Sequence, residues 1–238
     1  MKPRLIFSGL AGAVLASGLY LAASHPPDSF QGEFARIIHV HVPAAWVAFL
    51  AFGVTMVAGL VWLATKNYTF DHIASASAEL GVLFTSLALV TGMLWGDVVW
   101  GKAWDWGDAR MASTALMFFV YIGYLALRRS IDDSEARAKR AAVLGSIAFL
   151  QVPLVYFSVT IWRTLHPTPS IRPDGPSMPT EQLKAMLANL AAYTLVYVVF
   201  VVWRGQQSSQ ETLLEERDNF DLGPAGTAIE PPTLGTTT

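Results

Sequence analysis

The sequence predicts an all-α, polytopic membrane protein with six transmembrane helices. Three observations lead there. Only 14% of the 238 residues are charged while 53% are hydrophobic, against about 25% charged in a soluble domain, and the mean hydropathy is +0.41. Six stretches each approach the roughly 20 apolar residues that cross a bilayer core of about 30 Å as a helix. None of the six alternates with a period of two, which argues against a β-barrel, and a helix satisfies its own backbone hydrogen bonds in lipid. The net charge of −2 offers no basic field for nucleic acid.

The spans read as residues 5–23, 42–64, 76–95, 112–127, 141–161 and 183–203. The first follows a basic start, Met1 to Arg4, and ends in small residues, as a signal peptide would; its apolar run exceeds the roughly 7–15 residues of a signal core, which favours a retained helix. Orientation follows from Lys and Arg near the helix ends. With the N-terminus inside, one side carries Lys2, Arg4, Lys66, Arg128, Arg129, Arg137, Lys139, Arg140 and Arg204, and the other Arg36, Lys102, Arg110, Arg163, Arg172 and Lys184. The richer side is expected to be cytoplasmic, with both termini. The outer face is then built from residues 24–41, 96–111 and 162–184, the last rich in proline and so read as a loop. Residues 205–238 form a polar tail that reads as disordered, leaving 1–204 as the membrane domain.

The middle outer segment runs Trp95-Gly96-Asp97-Val98-Val99-Trp100-Gly101-Lys102-Ala103-Trp104-Asp105-Trp106-Gly107-Asp108-Ala109-Arg110. An interfacial aromatic belt accounts for one or two Trp near a helix end, but not easily for a run interleaved with Gly and Asp. Trp offers a flat apolar face with one N–H donor, and Gly lets backbone approach closely; together they suit a large planar apolar ligand with polar edges. Four of the five histidines, His25, His39, His41 and His166, lie in or beside the outer segments, and His72 lies at the inner side. His41 stands just before Val42-Pro43-Ala44-Ala45-Trp46, where Pro43 suits a first helical turn. His166 follows the fifth span and precedes Pro167. Two imidazoles at one face could ligate a metal or haem iron, yet two isolated His are a weak signature and by themselves read first as ordinary interfacial side chains. His39 and His41 would be about 200° apart on a helix, so only one reaches a shared site. Among the outer cations, Arg110, Lys102 and Arg163 could clamp a carboxylate, whereas Arg36 reads as a solvated charge. Glu79 and Gln151 are the notable polar groups inside spans, and neither is given a role.

Three separated motifs resemble one family. Arg36-Ile37-Ile38-His39-Val40-His41-Val42-Pro43-Ala44-Ala45-Trp46 is similar to the first-histidine motif of the cytochrome c maturation protein CcmC family. The Trp-rich run to Arg110, continuing into Met111-Ala112-Ser113, is similar to its WWD domain. Phe157-Ser158-Val159-Thr160-Ile161-Trp162-Arg163-Thr164-Leu165-His166 is similar to its second-histidine motif. The resemblance implies a haem-binding inner-membrane protein that holds non-covalent, transient haem b at the periplasmic face, with His41 and His166 as iron ligands. It implies Trp100, Trp104, Trp106, Asp108 and Arg110 as the surrounding loop. Implied partners are a CcmE-like periplasmic haem chaperone, a CcmA- and CcmB-like ABC-transporter complex and a small CcmD-like membrane protein; the implied role is presentation of haem rather than turnover of a substrate. The absence of Cys excludes a haem attached through Cys-x-x-Cys-His and fits a protein that does not keep its haem. The loop is one residue longer than the family pattern, because Gly107 separates Trp106 from Asp108, and His39 stands where the family has an aromatic residue. A membrane-bound b-type haem electron-transfer subunit is the rival reading, and a haem permease another. The first expects His in mid-helix, and the second expects interrupted helices with midplane polar groups.

Overall fold

A computed structural model describes residues 3–162, 164–167, 171–172, 175–176 and 178–222. Seven helices make up nearly all of it: α1 (Pro3–Ser24), α2 (Ile38–Thr65), α3 (Tyr68–Trp100), α4 (Ala109–Arg129), α5 (Ser134–Ala148), α6 (Gln151–Ile161) and α7 (Thr180–Leu222). A 3-10 turn, Glu33–Ile37, leads into α2, and a two-residue antiparallel ladder pairs Ile171–Arg172 (β1) with Gly175–Pro176 (β2). Among the described residues six spans are long and apolar enough to cross a membrane, with α5 and α6 forming one of them. The protein is a multi-pass membrane protein of the predicted all-α class.

The centre of the bundle is the α2–α3 pair, flanked by α4, α5 and α7, with α1 packed on α7. Between helices in lipid, small residues and side-chain hydrogen bonds replace the hydrophobic drive available in water. Ala44, Ala48 and Ala51 of α2 and Ala76 and Ala88 of α3 are buried in the shared core. Gly81 of α3 receives the Phe52 ring so closely that a Cβ there would lie 2.4 Å from it. Phe52 in turn stacks on Tyr121 of α4, centroids 3.6 Å apart. Ser77 donates to the Ala51 carbonyl at 2.7 Å and bonds the Tyr197 hydroxyl at 2.7 Å, joining α2, α3 and α7. The amide of the fully buried Asn189 donates to the Gly18 carbonyl at 2.8 Å, tying α7 to α1.

Several boundaries differ from the sequence reading, each for a local reason. The second helix starts at Ile38 rather than Val42, because the 3-10 turn runs straight into it; Pro43 therefore sits inside the helix, where it withholds the donor that the His39 carbonyl would otherwise receive. The third helix runs to Trp100 instead of ending at Trp95, and stops where Gly101 adopts φ 69°. The fifth span is broken at Phe149–Leu150: Pro153 has no N–H for the Phe149 carbonyl, which takes the Val152 N–H at 2.9 Å instead. The last helix does not stop at Arg204 but carries the start of the polar tail to Leu222, supported by Arg204 pairing with both Glu79 and Glu211. Residues 223–238 lie outside the described residues.

At the end of the bundle away from the Trp-rich loop, Arg128 pairs bidentately with Asp71 at 2.6 and 2.8 Å, and both side chains are buried. Glu79, in α3, accepts from Arg204 at 2.7 and 3.2 Å.

Candidate functional site

The N-terminal end of α2, the C-terminal end of α3, the start of α4 and the chain leaving α6 meet at one end of the bundle, and each brings a chemically active side chain. From α2, His41 directs Nδ1 at the hydroxyl of Thr91, 3.1 Å away on α3. That hydroxyl has one hydrogen, which it gives to the Leu87 carbonyl at 2.7 Å. Its remaining capacity is as an acceptor, so His41 carries its proton on Nδ1 and leaves the Nε2 lone pair free. Gly92, the next residue of α3, makes room for this ring: a Cβ there would lie 3.0 Å from its Cε1.

The His166 ring stands with its centroid 6.4 Å from that of His41 and its plane tilted by 34°. Trp100 meets His166 edge-on at 5.2 Å and is itself backed by Trp95 at 4.8 Å; Trp95 is fixed by donating Nε1–H to Gln31 at 2.9 Å. The chain that carries His166 is held to α4 by Asp108. One carboxylate oxygen caps α4, accepting the N–H groups of Arg110 and Met111 at 3.0 Å each, and the other accepts the Leu165 N–H at 2.7 Å. Thr164 completes the turn by accepting the His166 N–H at 2.8 Å.

Between the two histidines lies a cavity of about 60 Å³, room for a few water molecules. Trp104, Arg110, Met93, Phe49 and Met117 are among its walls. Two polar atoms of its lining residues, Trp104 Nε1 and His166 Nδ1, are buried and have no hydrogen-bond partner among the described residues. Burial, followed by the charge of Arg110 and the neighbouring His41, pushes the His166 imidazole down to about 4 against the opposing pull of Asp108, so it is neutral at pH 7. For Asp108 burial acts to raise the value. The Met111 and Leu165 N–H groups, the Thr164 hydroxyl and the nearby His166 together outweigh it and hold the carboxyl below its ordinary range, which keeps it ionised.

The sequence-predicted residues thus divide. His41, His166, Trp104 and Arg110 line the one cavity. Trp100 touches His166 from outside it. Trp106 is 70% exposed and only packs its ring on Trp104 at 5.0 Å. Asp108 is buried within its own hydrogen bonds and is not part of the wall. Lys102 pairs with Asp105 on the surface at 3.4 Å, and Arg163 lies outside the described residues. His39 turns away: its Nε2 bonds Nε2 of His25 at 2.9 Å, and both rings are buried. Arg36, read as solvated, instead reaches back to the carbonyls of Ala23 and His25 and closes the end of α1. Thr91, Gly92 and Gln31 escape the sequence reading, because a hydroxyl or glycine within an apolar helix looks the same whether it orients a ligand or packs a neighbour.

A family model described as Heme exporter protein C matches residues 2–219. The chain is 40% identical to Heme exporter protein C of Bradyrhizobium diazoefficiens over 186 residues, 78% of this chain and 70% of that one. It is 35% identical to Heme exporter protein C of Haemophilus influenzae, over 79% of this chain and 76% of that one. A ccmC-like mitochondrial protein of cytochrome c biosynthesis from Marchantia polymorpha is 34% identical over 85% of this chain and 86% of its own length.

Proposed function

The chain belongs to the Heme exporter protein C family and handles haem in cytochrome c maturation, and on that premise we propose that it holds haem between His41 and His166 at the periplasmic face of the bacterial inner membrane. The observation that carries this reading is the separation of the two rings. An imidazole nitrogen bonds a transition metal at about 2 Å, so two rings on opposite sides of one metal have centroids about 6 Å apart; these two stand at 6.4 Å. The porphyrin supplies four donors of its own, so a pair of imidazoles suffices, and among the described residues no group of three His, Cys, Asp or Glu gathers to hold a bare ion. The unpartnered Trp104 Nε1, on a residue of the same cavity wall, supports the reading as a donor left for a polar-edged guest.

In this reading the cargo is haem b, bound without a covalent link. His41 offers the Nε2 that Thr91 leaves free. Trp104 covers the apolar face, Trp100 backs His166, and Arg110, which has no ion-pair partner among the described residues, faces the propionates. The cavity is far smaller than the macrocycle, so loading displaces the Trp104 segment. The orientation rests on charge: Lys66, Arg128, Arg129, Arg137, Lys139 and Arg140 gather at the helix ends opposite the histidines, which suits a cytoplasmic side for that end and for both termini. Haem held at the outer face is presented to a CcmE-like chaperone, while CcmA- and CcmB-like transporter subunits and a CcmD-like protein complete the assembly. The protein is then a holder and presenter, and bond formation takes place on the partner.

Absorption spectra of the purified protein titrated with haem test this. His41→Ala and His166→Ala are each expected to convert a low-spin, six-coordinate spectrum into a high-spin one and to lower the haem retained. Unchanged ligation in both variants would end the bis-histidine assignment.

A further inference from the structure

Resting on that haem-site reading, we infer that Asp108 is a positioning residue for His166 rather than a group that touches haem. Every acceptor direction of its carboxylate is turned toward the protein. Oδ1 is occupied by the Arg110 and Met111 N–H groups at the start of α4. Oδ2 takes the Leu165 N–H at 2.7 Å, and the Thr164 hydroxyl also bonds the carboxylate. The residue is 3% exposed and contributes nothing to the cavity wall. What it does reach is the far side of the ligand ring. His166 Nδ1 lies 3.9 Å from Asp108 Oδ1, beyond hydrogen-bond length, and is buried without a partner.

Two consequences follow from that arrangement. A carboxylate facing Nδ1 repels a lone pair there and attracts an N–H, so it selects the tautomer whose free lone pair is Nε2, on the cavity side. The Leu165 and Thr164 contacts fix the backbone immediately before His166, so the ring is aimed as well as protonated correctly. The two ligands are therefore oriented by unlike neighbours: a neutral hydroxyl, Thr91, for His41, and an anion, Asp108, for His166. Imidazole backed by an anion is the stronger donor, so the His166 side is the more firmly attached.

Asp108→Asn separates this role from simple helix capping, because Asn caps a helix N-terminus as well as Asp but removes the charge and one of the two acceptor oxygens. The intact protein in detergent, titrated with haem, is expected to bind about tenfold more weakly, the usual scale for loss of an outer partner of a metal ligand. Its spectrum should show a high-spin fraction, and added imidazole should restore the low-spin form, while the unfolding temperature stays near that of the parent. Thr164→Val, which deletes one of the two latches and keeps the size of the side chain, should move the spectrum in the same direction by less, and covers the case in which the Asn variant does not fold. A wild-type low-spin spectrum and affinity in both variants overturns the inference, as does haem loss in Asp108→Asn that imidazole leaves unrestored. His41→Ala and His166→Ala run alongside: if neither changes ligation, it is the haem-site reading that fails, and if both do while Asp108→Asn does not, only the positioning role fails.

Discussion

At the scale of single residues, the site works by deciding where protons sit. Thr91 spends its own hydrogen on Leu87 and so receives one from His41; burial keeps His166 neutral. The second fact has a pH consequence whose sign is fixed. His166 in the folded protein binds a proton only near pH 4, whereas in the unfolded chain it does so near 6.5. The unfolded state therefore binds more protons between those values, and stability falls as the pH drops from about 6.5 to about 4, by up to about 3 kcal/mol from this group. Thermal unfolding of the haem-free protein across that range should show a shallower decline in His166→Asn than in the parent. An equal decline in the two would mean that the ring is not held neutral by its surroundings.

At the scale of the helix, close approach is what the bundle depends on, and Gly81 is its tightest point. A Cβ at Gly81 would come within 2.4 Å of the Phe52 ring, and that ring cannot retreat, being fully buried and stacked on Tyr121. Gly81→Ala is expected to destabilise the protein by about 1–3 kcal/mol, read as a lowered unfolding temperature in detergent. Gly12→Ala, where nothing lies within 4 Å, should leave it unchanged. The same scale explains what could be read from the sequence. Long continuous apolar runs identify helices because a barrel strand alternates, and all six spans appear where those runs lie. Their ends were less legible. Pro43 looks like a helix start, but a preceding 3-10 turn can feed the helix earlier at the cost of one hydrogen bond. Trp95 to Trp100 has the Gly and Asp content of a loop, yet it coils because no residue before Gly101 needs a positive φ. The histidines and the Trp run were visible by residue type. What orients them was not, since Thr91 and the Leu165 backbone N–H carry no mark in the sequence.

At the scale of the whole molecule, two ends of opposite character are held apart by the apolar bundle. One has the imidazoles, indoles and Arg110; the other has the Asp71–Arg128 and Glu79–Arg204 pairs and most of the Lys and Arg. The absence of cysteine makes the orientation directly measurable, because any introduced thiol is the only one. In intact cells a membrane-impermeant maleimide should label Lys102→Cys and not Arg129→Cys, which sit at exposed positions on opposite ends. The reverse pattern would put the histidines on the cytoplasmic side and remove the periplasmic reading.

The pairing of His25 with His39 bears on which of two histidines, two residues apart, is offered to the cavity. The Pro26 carbonyl, 2.7 Å from His25 Nδ1, demands the hydrogen of that nitrogen, so His25 Nε2 can only accept and His39 Nε2 must donate. His39 keeps its lone pair on Nδ1, which is buried, and the residue is not among the cavity's walls. Under the proposed reading, a cargo entering the cavity would meet only His41 of these two, because His39 is sealed behind its contact with His25.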